Sequence, residues 1–211
     1  MVEFHIVNLR DFGKGSYRQI DDTPFGGGSG MVLMAEPLFK AIDHAMDLVG
    51  GPDNVRVIYP SPQGKTWNQD TAEETSQQEK LIVICGHYKG IDERVMEKYV
   101  THEYSLGDFV MTGGEIPAMV MLDSTVRLIP GTLNNLDSAL TDSFSQDLLD
   151  HPHYTHPREI DGMEVPEVLL GGYHAKIEAW RQEQKEKRTQ EKKPDLWEKF
   201  EKMKESEINH A

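Results

Sequence analysis

Ser105-Leu-Gly-Asp-Phe-Val-Met-Thr-Gly-Gly-Glu-Ile-Pro117 is the stretch that decides the fold, together with Cys85-Gly-His-Tyr-Lys-Gly-Ile-Asp-Glu-Arg94 before it. Each is a glycine-punctuated loop that follows an apolar stretch, and Tyr59-Pro-Ser-Pro-Gln-Gly64 is a third. Glycine at this density indicates a backbone that takes a positive φ or closely approaches another group, which can be a ligand or merely a neighbouring strand. Together the three loops predict one small-molecule site.

The elements around these loops predict a parallel sheet. Strands are expected at Val55 to Tyr59 and at Leu81 to Cys85, and helical stretches at Gln69 to Gln78 and Asp92 to Tyr99. Strand and helix therefore alternate as in an α/β sheet covered on both faces. Ligands of such sheets bind outside the carboxyl ends of the strands, where two of the glycine-punctuated loops fall.

Three further elements are predicted in the first part of the chain. They are a short strand over Val2 to Ile6, a helix that begins at Glu36-Pro37 and ends at Gly50-Gly51-Pro52, and a helix over Glu115 to Ile129. The helix boundaries rest on proline in a first turn and on glycine or proline just past a last turn.

A polar segment over residues 134–141 predicts a linker between two domains, 1–133 and 142–211. Beyond a stretch rich in proline and histidine, helices are expected over 174–190 and 194–204, the second with Leu196, Phe200 and Met203 facing inward. The second domain is therefore predicted to be small and helical.

Composition limits the class of protein. The formal net charge of −14 argues against a basic surface over the whole protein, the usual footprint of a nucleic-acid binder. Basic residues concentrate in Lys176 to Lys193, seven against four acidic, which fits either an RNA-binding patch or a solvated helix with alternating charges.

With no apolar span and no signal-peptide pattern at the start, the chain is predicted to be soluble and cytoplasmic. The single cysteine, Cys85, is predicted to be a buried strand residue rather than a nucleophile.

Three short patterns suggest familiar chemistry and do not fit it. Gly64-Lys65-Thr66 is not a phosphate-binding P-loop, because Tyr59 stands where that motif needs glycine. Gly26 to Gly30 lacks the dinucleotide spacing and does not follow a strand. His151, His153 and His156 match no structural zinc spacing, so the histidines do not predict a metal site.

Two charged residues stay undecided from composition and spacing. Arg127 lies one helical turn from Asp123, so a simple ion pair explains it as well as a functional role does. Asp142 precedes Ser143 and could merely begin a helix.

Taken in order, the motifs closely resemble bacterial tRNA (guanine-N1)-methyltransferases, the TrmD type within the SPOUT superfamily. The matching segments are Asn8 to Phe12, Asp21 to Met31, Ser61 to Gly64, Cys85 to Arg94, Ser105 to Met119, Arg127 to Gly131, Asp142 to Phe144, Pro152 to Thr155, Val165-Pro166 and Trp180-Arg181. They span nearly the whole chain, and several long motifs in one order are far more specific than one short pattern.

The resemblance implies a SPOUT-type α/β domain whose parallel sheet carries a deep trefoil knot, a rare exception to unknotted chains, plus a small helical C-terminal domain. The knot loops are expected to hold S-adenosylmethionine. Carried over position by position, the cofactor-binding residues are Tyr59, Pro60, Ser61, Pro62, Gln63, Gly64, Gly86, Tyr88, Leu106, Gly107, Phe109, Met111, Thr112, Gly113, Gly114 and Pro117.

The resemblance also implies the reaction: methyl transfer to N1 of the guanosine immediately 3′ of the tRNA anticodon. It assigns the general base to Asp142 and the stabilisation of charge on the guanine carbonyl to Arg127. It further implies a homodimer with the active site between subunits, no membrane, and use of Mg²⁺ at a position it does not locate. Within the helical domain, RNA contacts are expected from the cations Lys176, Arg181, Lys185 and Arg188. The alternatives are another SPOUT-type RNA methyltransferase and a non-catalytic RNA-binding module.

The sequence departs from the family pattern at three places. Lys89 stands where the family usually has glutamate, and His156 replaces the usual arginine. The chain also opens near the family's second strand, so either the true start lies upstream or this is a shortened form. Restoring an upstream extension is expected to raise the melting temperature.

Overall fold

The structure, a computed structural model, describes residues 2–132, 142–144 and 147–210. These residues fall into two compact units, one before and one after the boundary between Asn134 and Asn135. The predicted linker over 134–141 lies outside the described residues.

The first unit is built around a short parallel sheet. Its elements in chain order are β1 (Asp21–Asp22), β2 (Val32–Leu33), α1 (Ala35–Leu48), β3 (Val55–Thr66), α2 (Gln69–Ser76), β4 (Lys80–Val83), α3 (Glu93–Tyr99), β5 (His102–Ser105) and α4 (Glu115–Val126). Strand β3 lies between β4 and β5 and pairs with both in parallel. Strands β1 and β2 form a separate antiparallel pair.

Both faces of the sheet are covered, as the alternation of strand and helix predicted. Successive side chains of a strand point to opposite faces, so β3 supplies both sides of the core. Val57 packs with Leu38 of α1 and Val95 of α3 in one buried cluster. Ile58, fully buried, packs with Met121 of α4 in the other. The prediction of an α/β fold with a parallel sheet is confirmed.

Two expectations for the first unit are wrong. Val2 to Ile6 forms no strand, because it pairs with no strand among the residues that the structure describes, and Phe4 and Ile6 are exposed. Cys85 is exposed and follows the end of β4 rather than lying buried within it. An alternating apolar pattern or an apolar run indicates a strand only where a pairing partner exists.

In the part of the second unit that the structure describes, a short hairpin precedes two α-helices. Its elements are β6 (Glu159–Ile160), β7 (Met163–Glu164), α5 (His174–Lys192) and α6 (Pro194–His210), and the helices agree with the two predicted ones. Leu148 and Thr189 are the buried residues around which this unit packs. Met203, expected to face inward, is 41% exposed. Among the residues that the structure describes, no helix is long and apolar enough to cross a membrane.

Candidate functional site

A break in the β3–β5 ladder forms the first wall of the site. Pro60 and Lys65 both pair with Tyr104 of β5, so the residues between them, Ser61–Gly64, leave the ladder as a bulge. Within the bulge the Gln63 N–H donates to Ser61 Oγ over 3.1 Å. Such bulges redirect side chains and backbone groups beside functional sites. The first predicted loop is therefore a bulge within β3, whereas the sequence predicted a loop that follows the strand.

The second and third loops are joined by a backbone hydrogen bond. The Gly114 N–H donates to the Gly86 carbonyl over 2.8 Å. A Cβ on Gly114 would lie 2.7 Å from the Gly86 nitrogen, and a Cβ on Gly86 would lie 2.8 Å from the Tyr59 ring. Contacts this short leave no room for a side chain. Here the glycines serve close backbone approach, one of the two roles that the sequence left open.

Ser105 fixes the start of the third loop. This buried residue ends β5, and its hydroxyl both donates to the Gly107 carbonyl over 3.0 Å and accepts from the Gly107 N–H over 3.1 Å. Gly107 has φ of +146°, and Tyr88 in the second loop has φ of +61° although it is not glycine. Both positions lie on the wall of the same cleft, and backbone strain of this kind clusters at ligand sites.

The three loops enclose a cleft of about 400 Å³. This volume lies within the range of small-molecule sites, and the cleft lies at the bulge of β3 and at the carboxyl ends of β4 and β5. The predicted cofactor-binding residues that line it are Tyr59, Pro60, Ser61, Pro62, Gln63, Gly86, Tyr88, Leu106, Gly107, Phe109, Met111, Thr112, Gly113, Gly114 and Pro117.

Gly64 is the predicted cofactor residue that the structure places elsewhere. It borders a second cavity, of about 280 Å³, and a Cβ there would overlap the backbone of Glu103 and Tyr104. Gly64 therefore allows β3 to return to its ladder with β5.

Several lining residues were missed by sequence reasoning, among them Glu93, Glu103 and Ser105. Two of these belong to β5, whose sequence His-Glu-Tyr-Ser has no apolar run that would predict a strand. The position of β5 follows from its pairing with β3, which the chain acquires only when it folds.

Lys89 connects the cleft to the glycine-rich segment Gly26 to Gly30. Its N–H donates to the Met31 carbonyl over 3.0 Å, and a Cβ on Gly30 would lie 2.9 Å from Lys89 Cγ. Gly30, between β1 and β2, therefore lets the lysine stem lie against the backbone. The departure of Lys89 from the family pattern places a cation on the cleft wall.

The charges on the cleft wall include both signs. Glu93 and Glu103 line the cleft with Lys89. Burial raises the pKa of Tyr59, and the carboxylate of Glu103 raises it further, so the phenol stays neutral at physiological pH. Carboxylates beside exposed backbone groups and an aromatic ring can accommodate a cationic ligand of nucleoside size.

Of the two residues expected to be catalytic, Arg127 belongs to the same unit as the cleft and is not one of its lining residues. Arg127 is the residue that caps the end of α4, and its N–H donates to the Asp123 carbonyl over 3.2 Å. Asp142 belongs to the second unit, is half-buried and lies at a bend. Both residues have interaction partners.

The four cations expected to contact RNA differ in their surroundings. Lys185 lies 3.8 Å from the Asp150 carboxylate with only 14% of its side chain exposed, and Arg188 donates to the Asp150 carbonyl over 3.4 Å. Arg181 pairs with Glu178 over 2.6 Å. Lys176 lies over the Tyr173 ring at 5.4 Å, on the exposed first turn of α5. Two of the four cations thus interact with the loop at Asp150.

The sheet and its cleft define a class: a parallel α/β protein with a cleft of small-ligand size between glycine-rich loops at one sheet edge. Comparison with known proteins gives the family. A family model described as tRNA (Guanine-1)-methyltransferase TrmD matches residues 1–199. The chain belongs to this family, and the resemblance read from its motifs is confirmed.

Curated relatives match this chain along almost its whole length. A protein of Brevibacillus brevis named tRNA (guanine-N(1)-)-methyltransferase is 52% identical over 200 residues, covering 95% of this chain and 81% of the relative. Proteins of the same name from Clostridioides difficile and Dehalococcoides mccartyi are 47% and 50% identical, covering 94% and 95% of this chain and 86% and 80% of the relatives.

Proposed function

We propose that this chain transfers a methyl group from S-adenosylmethionine to N1 of the guanosine immediately 3′ of the tRNA anticodon. One observation carries the proposal. In a member of a family named for tRNA (guanine-1)-methyltransferase, the loops expected to hold the methyl donor meet in one cleft of suitable volume. The names of the relatives favour this reaction over another RNA methylation or a non-catalytic RNA-binding module.

The cleft fits the donor in shape and charge. S-adenosylmethionine supplies an electrophilic methyl group on a positively charged sulfur. Glu93 and Glu103 offer negative charge at the cleft wall, and the walls built from Gly86, Gly113 and Gly114 offer backbone groups to an adenine ring. We propose that these loops belong to a deep trefoil knot, which would fix the donor in one bent conformation.

Asp142 and Arg127 would supply the proton chemistry. Guanine N1 carries a proton at neutral pH, so its attack on the methyl group needs a base, and the Asp142 carboxylate would take that proton. As the proton leaves, negative charge develops on the neighbouring carbonyl oxygen, where the Arg127 guanidinium would stabilise the transition state. We propose that the protein acts in the cytoplasm as a homodimer, with each active site completed by both protomers and tRNA held by the helical unit.

Magnesium use does not follow from the residues at the cleft. Among the residues that the structure describes, the group of three side chains close enough to hold a metal lies in the second unit. The cleft wall presents Glu93 and Glu103 together with the cation Lys89. Mg²⁺ prefers octahedral oxygen ligands, and Lys89 opposes a divalent cation, so no step of the proposed reaction passes through it.

The first test measures methyl transfer from labelled S-adenosylmethionine to two tRNA transcripts. They differ only in carrying guanosine or adenosine immediately 3′ of the anticodon. The proposal expects label on the guanosine transcript alone. Label on both transcripts, or on neither while the donor still binds, would count against it.

A second test separates catalysis from binding. Asp142→Asn keeps the shape of the side chain and removes the base, so turnover should fall about 10²- to 10⁴-fold while donor affinity stays within a factor of two or so. Asp161→Asn is the matched control: Asp161 is exposed in the β6–β7 turn at φ of +53°, a conformation that asparagine tolerates. Unchanged turnover in Asp142→Asn would show that another group takes the proton.

A further inference from the structure

The loop Asp150–His153 in the second unit brings three potential metal ligands together. One ligand atom each from Asp150, His151 and His153 lies within 4.8 Å of the other two. His153 Nε2 lies 2.7 Å from Asp150 Oδ2, and His151 Nε2 lies 3.8 Å from Asp150 Oδ1. Ligand atoms of a tetrahedral zinc site stand about 3.3 Å apart, given metal bonds of about 2.0–2.1 Å. The two distances, one to each carboxylate oxygen of Asp150, lie below and above that value.

The backbone of this loop is held in place by several hydrogen bonds. The Leu149 N–H donates to the buried Thr189 hydroxyl over 2.8 Å, and the Asp150 N–H donates to Ser143 Oγ over 3.0 Å. Arg188 donates to the Asp150 carbonyl over 3.4 Å. A metal site gains affinity when its ligands are already ordered, because less conformational entropy is lost on binding.

His151 has the orientation of a metal-ligating histidine. Its Nδ1 lies 3.1 Å from the Pro152 carbonyl, which can only accept, so Nδ1 carries the proton and Nε2 presents its lone pair toward Asp150. Ligating histidines usually donate their other ring nitrogen in this way, which fixes the tautomer. The ring is only 14% exposed, so it is held in position.

We propose that Asp150, His151 and His153 form a binding site for a divalent transition metal of the Zn²⁺, Co²⁺ or Ni²⁺ class. Two imidazoles and one carboxylate suit these ions and leave at least one coordination position for water or another oxygen ligand. The site belongs to the second unit, and the proposal goes beyond the proposed methyl transfer. Histidine spacing did not predict it, because spacing rules describe sites with four cysteine or histidine ligands and omit the carboxylate.

Lys185 sets a limit on the affinity. Its ammonium lies 3.8 Å from Asp150 Oδ1 and would repel a divalent cation held by the same carboxylate. Replacing this lysine with an apolar residue of similar length should therefore strengthen metal binding. If Lys185 only supported the structure of the loop, its replacement would weaken metal binding instead.

The experiment is a Co²⁺ and Zn²⁺ titration of the untagged full chain after removal of metals with a chelator. Co²⁺ should give a visible absorption spectrum that saturates at one equivalent per chain, and Zn²⁺ should displace it while Mg²⁺ should not. His153→Gln and Asp150→Asn should each weaken binding at least about tenfold. Lys185→Met should strengthen it several-fold.

His174→Gln is the matched control, since it removes an exposed histidine at the start of α5 outside the cluster. The His153 side chain is 69% exposed, so its replacement should leave the fold intact, which circular dichroism can verify. Absence of saturation at one equivalent would overturn the proposal. So would equal affinity in the parent, His153→Gln and His174→Gln proteins.

Discussion

The cleft of the first unit and the Asp150–His153 loop of the second are built by opposite means. The cleft is shaped by backbone against backbone: Gly114 donates to Gly86, and neither position has room for a Cβ. The loop is held by side chains: the Thr189 hydroxyl accepts from the Leu149 N–H just before it, and the Ser143 hydroxyl accepts from the Asp150 N–H. Adding an atom to a glycine of the cleft wall should therefore distort the cleft. Removing a hydroxyl group from a supporting side chain should instead loosen the loop.

This difference also explains why the cleft can be recognised from the sequence more easily than the Asp150–His153 loop. Close backbone approach requires glycine, and a cluster of glycines is visible in a sequence without knowledge of the fold. The loop depends on Thr189, which lies 40 positions from its partner Leu149 and is of a common residue type. Nothing in the sequence near Asp150 indicates that pairing.

The largest effect is expected from adding one methyl group to the cleft wall in Gly114→Ala. The new Cβ would lie 2.7 Å from the Gly86 nitrogen and 2.9 Å from Cys85 Cα, so the two loops must separate. Overpacking of this kind costs about 1–3 kcal/mol, and S-adenosylmethionine affinity measured by calorimetry should fall about tenfold to a hundredfold.

Gly172→Ala is the control for that experiment, because a Cβ there meets nothing within 4 Å and its φ is not positive. Its donor affinity should equal that of the parent. If Gly114→Ala also binds the donor as the parent does, the cleft wall is more adaptable than its backbone contacts indicate.

An intermediate effect is expected from a matched pair of threonine-to-valine changes, one in each unit. Thr75→Val removes the acceptor for the buried Arg56 Nη1, 3.0 Å away, and should lower the free energy of unfolding by about 1–2 kcal/mol. Thr189→Val removes the acceptor for the Leu149 N–H and should cost about 1–2 kcal/mol. Urea unfolding measures both changes.

The pair also tests whether the two regions are independent. Thr189→Val should weaken Co²⁺ binding to the loop, and Thr75→Val should leave it unchanged. Equal weakening by both variants would mean that the metal signal follows overall stability rather than the order of the loop.

The smallest effect is expected from Glu36→Gln, which touches neither region. Hydrogen bonds and charge from Lys14 and Lys40 lower the pKa of Glu36 from its usual 4.5 to about 2. A carboxyl with a lowered folded pKa stabilises the protein above its unfolded pKa, and that contribution is lost as the pH falls from about 4.5 through about 2.

The parent should therefore lose slightly more stability than Glu36→Gln in urea unfolding between pH 5 and pH 2. The difference should shrink in high salt, since the carboxylate and both lysines are exposed. Parallel curves for the two proteins would show that these ion pairs contribute nothing measurable.

The glycine-rich loops, the helices of both units and strands β3 and β4 could be predicted from sequence because their signals are local. An apolar run, a proline in a first turn or a glycine past a last turn acts on residues a few positions away. The strand predicted at Val2 to Ile6 shows the limit, since its alternating pattern has no strand to pair with in the part of the chain that the structure describes. Strand β5 shows the converse: a polar four-residue segment becomes a strand only because β3 pairs with it.

The sequence alone was enough to predict the parallel α/β class, the family and more than half of the residues that line the cleft. Each of these depends on residue types in a fixed local order. Tertiary structure alone decided that Ser61–Gly64 leave the β3 ladder, that Glu103 and Ser105 line the cleft, and that the Asp150 carboxylate lies against two histidines. Those features depend on which distant segments meet, and the free energy that brings them together comes from burial of the whole core rather than from any one motif.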